Sequence, residues 1–272
     1  MTHQFTKYHA LGNDMLVIDP ATFVLPLTPE RAQLLCHRHF GLGADGICYG
    51  PLPDAPGPNT MRFLNPDGSE AEKSGNGLRI FARYLWDQEY VHGRSCTITI
   101  HGQTIRAEAL DDHAHTIALA MGRLTFGRLE EDVAVAGEWL RITAVSIGNP
   151  HCVLFTHELD AIQVIGPKLE TAPLFPNRTN VQLVRVVDDH TIEIAIWERG
   201  AGYTLASGTS ASAAAGTAVR TGRCQSPVTV RMAGGDAVVA VDADWQVTLT
   251  GTVTAVAQGT IAPDLLHELE EL

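Results

Sequence analysis

The sequence predicts an α+β protein of two pseudo-symmetric halves, each a mostly antiparallel sheet around a central helix. Three observations carry this expectation. Short stretches rich in β-branched residues, separated by turn residues, dominate the chain. Two of the few helical stretches do not read as surface helices. Three short motifs recur in the same order at nearly one spacing.

Taken in order, Thr28-Pro29-Glu30 opens a helix, with Thr as N-cap and Pro in the first turn, that runs to about His37. A strand covers Met61–Leu64. A second helix begins near Asn76 and continues through LRIFARYLWDQ. Strands follow at Cys96–His101, Thr104–Ala109, Thr116–Ala120, Leu140–Ile147, Val153–Thr156, Val181–Val187 and Thr191–Trp197, with turns at Asp111-Asp112 and Asp188-Asp189. A third helix begins near Thr209 and continues through SASAAAGTAV to about Arg220. Strands at Val228–Met232, Ala237–Val241 and Gln246–Leu249 come next, with a turn at Gly234-Gly235, and LLHELEEL adds a final helical turn or two. The third helix is Ala, Ser and Gly with hardly any charge. A helix that is small and apolar all round is normally buried, and antiparallel strands wrapped around it are the simplest arrangement.

The 272 residues suit two domains, and 45% hydrophobic residues supply a core for each. A net charge of -12 argues against nucleic acid, whose phosphates need clustered Lys and Arg. No segment approaches the apolar length of a membrane span, and MTHQFTKYHALGND lacks the apolar stretch of a signal peptide. Cys36, Cys48, Cys96, Cys152 and Cys224 are odd in number, scattered and without a CxxC pair. They read as reduced thiols of a cytoplasmic protein, with neither a disulfide framework nor a zinc site.

The repeat has a chemical side. Gly12-Asn13-Asp14 resembles Gly148-Asn149-Pro150, 136 residues on; Asp45-Gly46 resembles Thr179-Asn180, 134 on; Ser74-Gly75-Asn76 resembles Ser207-Gly208-Thr209, 133 on. The last pair opens a helix in each half. A helix start presents unpaired N–H groups and partial positive charge, a ready site for a carboxylate or phosphate. Two such starts facing one cleft would hold an anionic substrate between Ser74 and Ser207. The plainer alternative is that both serines are ordinary N-caps.

The stretches FTKYHALGNDMLVID, NPDGSEAEKSGNGLR, SIGNPHCVLF, FPNRTNVQ and WERGAGYTLASGTSASAAA together resemble the diaminopimelate epimerase family, in order and over nearly the whole chain. The resemblance implies two domains of strongly curved sheet or barrel around a central helix. We place these at 1–127 and 128–260, with a tail at 261–272 packing back on the N-terminal half. It implies an isomerase of amino acids, in lysine and meso-diaminopimelate biosynthesis, that works without pyridoxal phosphate or any other cofactor or metal. In that family two cysteines flank the substrate α-carbon; one thiolate removes the α-proton and the other thiol delivers a proton to the opposite face, in a site closed to water. The α-carboxylate would lie on the N–H groups of Gly75, Asn76, Gly208 and Thr209. The remote end of a diaminopimelate-like amino acid would contact Asn13, Asn65, Asn149, Asn180 and Arg199, since Arg grips carboxylates in a bidentate fork. His151 and Glu198 correspond to the polar pair beside the catalytic groups. Family members commonly pair, which leaves a homodimer open.

The departures matter as much. Ser74 and Ser207 stand where the family carries its catalytic cysteines, Ser210 where it has glycine, and Tyr203 where it has an acid. A cysteine titrates near about 8.5 and is readily tuned lower, whereas a serine hydroxyl is a far weaker acid. Serine therefore needs a partner to take its proton, and His151 or Glu198 could serve. Three readings stay open: deliberate replacement to trap a ligand; a natural Ser/Ser branch with a slower isomerisation, another amino acid or a dehydration; and an amino-acid binding module without turnover. A serine hydrolase is a fourth, weakened because neither serine sits in G-x-S-x-G.

Other signals are discounted. Gly41 to Gly46 spell G-x-G-x-x-G, but a helix precedes them and a strand-like ICYG follows, the reverse of a dinucleotide fingerprint. His37 with His39, and His113 with His115, lack a third ligand for a metal. His3, His9 and His92 read as surface or packing residues, and Asp67, Glu70 and Glu72 as a solvated loop.

Overall fold

The computed structural model describes residues 3–70 and 74–272. Glu72 lies outside the described residues. The chain divides into two units, Met1–Leu119 with Thr252–Leu272, and Ala120–Gly251.

The first unit begins with β1 (Gln4–Ala10), β2 (Asn13–Ile18), α1 (Pro29–Cys36), β3 (Ile47–Tyr49) and β4 (Arg62–Leu64). It continues with α2 (Gly75–Asp87), β5 (Ser95–Ile100), β6 (Gln103–Ala109) and β7 (Thr116–Arg123), whose last residues cross the boundary. β1 and β2 are antiparallel, β2 and β3 parallel, β3 and β4 antiparallel. β5, β6 and β7 form an antiparallel meander. α2 packs on β1, β2, β3 and β5. Its Leu78, Ile80, Phe81 and Leu85 are fully buried. In α1 the Thr28 side chain accepts from the Arg31 N–H and Pro29 takes the first turn, as the sequence implies.

The second unit holds β8 (Thr125–Phe126), β9 (Glu131–Val135), β10 (Glu138–Ser146), β11 (Pro150–Phe155), α3 (Ile162–Glu170), β12 (Asn180–Asp188), β13 (Thr191–Glu198) and β14 (Gly202–Thr204). Then come α4 (Gly208–Arg220), β15 (Val228–Met232), β16 (Gly235–Val241) and β17 (Gln246–Thr252). Their pairing restates the first unit. β10 and β11 are antiparallel, β11 and β12 parallel, β12 and β13 antiparallel, and β15, β16 and β17 form an antiparallel meander. α1 and α3 occupy equivalent places in the order, as do α2 and α4. α4 packs on β10, β11, β12, β13, β15 and β16. Ala211, Ala213, Ala214, Ala215 and Ala218 are fully buried, and a Cβ on Gly216 would lie 2.1 Å from Leu124 Cδ1. Small side chains are what let the strands close around this helix.

The chain returns to the first unit with β18 (Thr254–Thr260), antiparallel to β1, and α5 (Pro263–Glu271). Leu269 of α5 is buried in a cluster with Leu16, Ile18, Phe23 and Leu35. The unit boundary thus falls at 119/120 and 251/252 rather than the expected 127/128 and 260/261. The reason is local: β8 pairs with β10, which draws 120–127 into the second unit, and β18 pairs with β1, which draws 252–260 into the first.

The meander strands with one buried face were legible as such. β6 and β16 alternate exposed and buried residues along their length. β18 was not: nearly every residue of TAVAQGT is exposed, so no period marks it. α3 was missed because Gly166 and Pro167 interrupt it. Gly166 is needed there, since a Cβ would lie 2.7 Å from the Trp197 side chain. Among the described residues no helix is long and apolar enough to cross a membrane.

Candidate active site

Each unit builds its own cluster of polar residues around the start of its buried helix. In the first unit Ser74 is extended (φ -127°, ψ 117°) and caps α2, its Oγ accepting from the Gly77 N–H at 3.1 Å. Gly75, Asn76 and Gly77 follow, all buried. A Cβ on Gly77 would sit 3.0 Å from the Phe63 ring, so glycine permits the close approach of β4. Asn76 donates through Nδ2 to Asn13 Oδ1 at 3.2 Å and accepts from Arg79 Nη2 at 2.7 Å. Asn13 in turn donates to Asp45 Oδ2 at 3.1 Å. Arg38 bridges Asp14 and Asp45, and Lys7 pairs with Asp14 at 2.8 Å. Burial alone would raise the Asp14 carboxyl, but the hydrogen bonds from Arg38 and Lys7 hold it well below the usual carboxylate range.

Asn65 has a more local duty. Its N–H and Nδ2 bond Ser69 at 2.8 and 3.0 Å, and its carbonyl accepts from Gly68 N, closing a turn. The G-x-G-x-x-G stretch also makes a turn, between α1 and β3. A Cβ on Gly41 would lie 1.8 Å from the Leu34 carbonyl oxygen, which accounts for glycine there without any nucleotide.

In the second unit Ser207 is likewise extended (φ -145°, ψ 125°) and caps α4, its Oγ accepting from the Ser210 N–H at 3.4 Å. Gly208 and Thr209 open the helix, both buried. Both serines are therefore N-caps, the plainer of the two roles the sequence offers. Capping and chemistry are compatible, because the N–H that Oγ accepts would also stabilise an alkoxide.

Glu198, at the end of β13, makes the difference between the two starts. Burial raises its carboxyl above the ordinary range, and the neighbouring Ser207 hydroxyl opposes that rise. A carboxylate with raised affinity for a proton, beside a hydroxyl, has the chemistry of a base for it. Burial acts on His151 in the opposite sense and weakens it as a base. It is buried, its Nε2 lies 3.1 Å from Asn149 Oδ1, and burial pushes it down to about 3. Asn180 donates to the Pro150 carbonyl at 2.8 Å and accepts from the Arg199 N–H at 3.0 Å. Arg199 Nη1 reaches the Asn177 carbonyl at 3.2 Å.

The two units therefore gather, separately, Ser74 with Asn76 and Asn13, and Ser207 with Glu198, while Asn180 joins Arg199 and His151 joins Asn149. A family model described as diaminopimelate epimerase matches residues 5–127 and 143–256. The chain is 45% identical to diaminopimelate epimerase 2 of Nostoc sp. (strain PCC 7120), over 96% of both chains.

The chain belongs to the diaminopimelate epimerase family.

It is also 39% identical to the diaminopimelate epimerase of Desulfitobacterium hafniense, over 97% of this chain and 99% of that one. Two solved structures share the diaminopimelate epimerase-like fold at low identity. A probable proline racemase from Agrobacterium radiobacter K84 gives a TM-score of 0.74 at 15% identity, covering 96% of this chain and 93% of that one. A PhzF-family phenazine biosynthesis protein from Bacillus anthracis gives 0.73 at 17%, covering 96% and 99%. None of the five cysteines takes the serine positions: all are buried and free, and burial pushes the Cys48 and Cys152 thiols up, away from the thiolate.

Sequence reasoning passed over three residues of these clusters. Arg79 sits inside the recognised SGNGLR stretch, a charge on a helix otherwise buried at that level, and that contrast was the available signal. Gln182 is a polar residue among the apolar positions of β12, fully buried, with Nε2 donating to Ser210 Oγ at 3.0 Å. Glu170 of α3 accepts from Gly200 N at 2.7 Å and Trp197 Nε1 at 2.8 Å and pairs with Arg178. It thereby fixes both flanks of the Glu198–Arg199 segment. Nothing in its sequence neighbourhood announces it.

Proposed function

We propose that this protein interconverts the α-carbon stereoisomers of diaminopimelate or a close amino-acid relative, with hydroxyls at the two proton-transfer positions. The α-carboxylate lies on the N–H groups of Gly75, Asn76, Gly208 and Thr209; Asn13, Asn65, Asn149, Asn180 and Arg199 hold the polar tail. Glu198 draws the proton from Ser207 as Ser207 takes the substrate α-proton, leaving Glu198 protonated and a carbanion at the α-carbon. Ser74 delivers its hydroxyl proton to the opposite face; its alkoxide then takes a proton from water, and the hydroxide so formed takes the proton held by Glu198, which returns both groups to their starting state. In the reverse direction the same groups exchange roles. His151, neutral, orients Asn149. The chemistry needs no pyridoxal phosphate, because the helix starts and a water-poor site stabilise the carbanion.

The observation that carries this reading is the half-buried Glu198 carboxyl, with its raised hold on a proton, beside Ser207 at the start of a buried helix. It gives the weak acid serine a neighbour able to take its proton, which an inert relic of a cysteine site would not need. Full-length identity to diaminopimelate epimerases supports the substrate class. Incubating the protein with LL-diaminopimelate and separating the stereoisomers tests it. Appearance of the meso form, faster in the Ser74→Cys/Ser207→Cys double variant, is the expected result. Tight binding with no interconversion in the unaltered protein, and recovery only with both cysteines, would favour a second reading, an amino-acid binding module. One observation leans that way: among the described residues the hydrogen-bond partner of Ser74 Oγ is the Gly77 N–H alone.

The cytoplasm is the proposed compartment, supported by five buried thiols without a disulfide. A homodimer is proposed on family grounds, and sedimentation velocity decides it.

A further inference from the structure

Arg79 is fully buried, on the second turn of α2, and no carboxylate among the described residues pairs with it. Its Nε and Nη1 have no hydrogen-bond partner. Its one bond runs from Nη2 to Asn76 Oδ1, 2.7 Å away. A buried charge without a counter-charge is among the costliest things a fold can keep. Burial weakens the hold on its proton, to about 10, yet leaves it charged at neutral pH. Packing alone would be served as well by methionine or leucine.

The bond to Asn76 begins a line. Asn76 Nδ2 donates to Asn13 Oδ1 at 3.2 Å, Asn13 Nδ2 donates to Asp45 Oδ2 at 3.1 Å, and Arg38 holds the other oxygen of Asp45 at 2.6 Å. The two ends of this line differ in kind. A guanidinium can only donate, and an ionised carboxylate can only accept. Between them stand two primary amides, each able to point either way. If Asn76 turned over, its NH2 would face the Arg79 donor and its oxygen would face Asn13 Oδ1. Were Asn13 to follow, its oxygen would meet the Asp45 carboxylate. Every reversal sets like against like, so donor and acceptor ends together fix the direction of both amides.

We propose that Arg79 is a positioning residue that, with Asp45 at the far end, locks Asn76 and through it Asn13 in one amide orientation, the one that turns an Asn13 N–H, backed by the charge of Arg79, to an anionic amino-acid ligand at the α2 start. Asn13 keeps one N–H beyond the one used in the line, and this is the group a carboxylate needs. The charge of Arg79 adds to the positive end of α2 in a place where water does not screen it. The second unit fixes Asn180 by other means, with the Pro150 carbonyl and the Arg199 N–H on either side. It has no counterpart to Arg79: Ser212, the residue that follows Ser207 by the same five positions, is a serine whose Oγ bonds the Gly208 carbonyl at 2.7 Å.

This inference rests on the ligand class proposed above, and its test separates the two. Side-chain amide signals of Asn76 and Asn13 are assigned by NMR in the unaltered protein, in Arg79→Met, Arg79→Lys and Asp45→Asn. Melting temperature and affinity for meso-diaminopimelate are measured alongside. In Arg79→Met both amide signals are expected to move, affinity to fall about tenfold, and the melting temperature to hold or rise because an unpaired charge has left the core. Arg79→Lys, which keeps a donor, is expected to restore part of the affinity. Asp45→Asn, at the exposed end, is expected to move the Asn13 signal without touching the core. Arg79→Met with a lowered melting temperature but unchanged amide signals and affinity would overturn the proposal and make Arg79 structural. Should Arg79→Met not fold, unmoved amide signals in both Arg79→Lys and Asp45→Asn would overturn it equally. If the unaltered protein binds no amino acid but the amide signals move as described, the positioning role stands and the ligand class falls.

Discussion

The start of α2 in the first unit and the start of α4 in the second follow one plan as far as their caps, and then part. Each opens with an extended serine whose hydroxyl accepts from the N–H three residues on, and each helix is almost wholly buried. Beyond that, α2 carries Leu78, Ile80, Phe81 and Leu85, and leans on a buried Arg79 to order its asparagines. α4 is built of alanine, serine and glycine, and leans on Glu198 and Gln182 from the strands beside it. A duplicated scaffold thus keeps its helix starts while the chemistry around them differentiates. One side surrounds its serine with amides and a guanidinium, the other sets a carboxyl beside it.

The largest expected effect probes the packing half of this contrast. Phe81→Ala is expected to cost about 3–5 kcal/mol in denaturant unfolding, because a fully buried ring leaves a cavity in α2 that small-residue α4 has no analogue for. A loss below about 1 kcal/mol would mean that the site collapses freely and that α2 is not the rigid member. Next comes the chemical half. Glu198→Gln is expected to slow α-proton exchange by about a hundredfold, some 2.7 kcal/mol, with affinity for meso-diaminopimelate little changed. Unchanged exchange in Glu198→Gln would move the base to the α2 side and invert the comparison.

A third effect is a pH dependence located in the second unit. His151 has its proton affinity depressed to about 3 in the folded protein, so the unfolded chain, titrating near about 6.5, binds the proton first. The stability it contributes is complete above about 6.5 and is lost as pH falls toward 3, on the order of a few kcal/mol. Urea unfolding from pH 7 to pH 4 is expected to show that loss, and His151→Gln to flatten it. The smallest effect tests the common plan. Ser74→Ala and Ser207→Ala should each cost about 1 kcal/mol as lost caps, and by similar amounts. A much larger loss for one would mean that the two starts do not share a capping role.

Much of this was legible in the sequence, and what was not has a physical reason. The helix starts announced themselves, since Ser-Gly-Asn and Ser-Gly-Thr are cap and turn chemistry and recur at one spacing. The alternating strands of the meanders announced themselves by period. α3 hid behind Gly166 and Pro167, though its partner α1 in the repeat marks where a helix belongs. β18 hid because its side chains are exposed on both faces. The candidate site residues carried a pattern that the resemblance makes readable. Their division of labour did not. That Glu198 gains affinity for a proton and His151 loses it depends on burial, and that Arg79 has no counter-charge among the described residues depends on what three-dimensional packing leaves out of reach. Neither is a property of spacing.

Proton traffic at the α-carbon is the claim from which the other functional statements descend. Diaminopimelate incubated with the unaltered protein in D2O, followed by proton NMR and by chiral analysis, measures it directly. The expected result is loss of the α-proton signal with deuterium appearing in both stereoisomers, at a rate that depends on Glu198. Full retention of the α-proton under conditions where binding is measurable would contradict it.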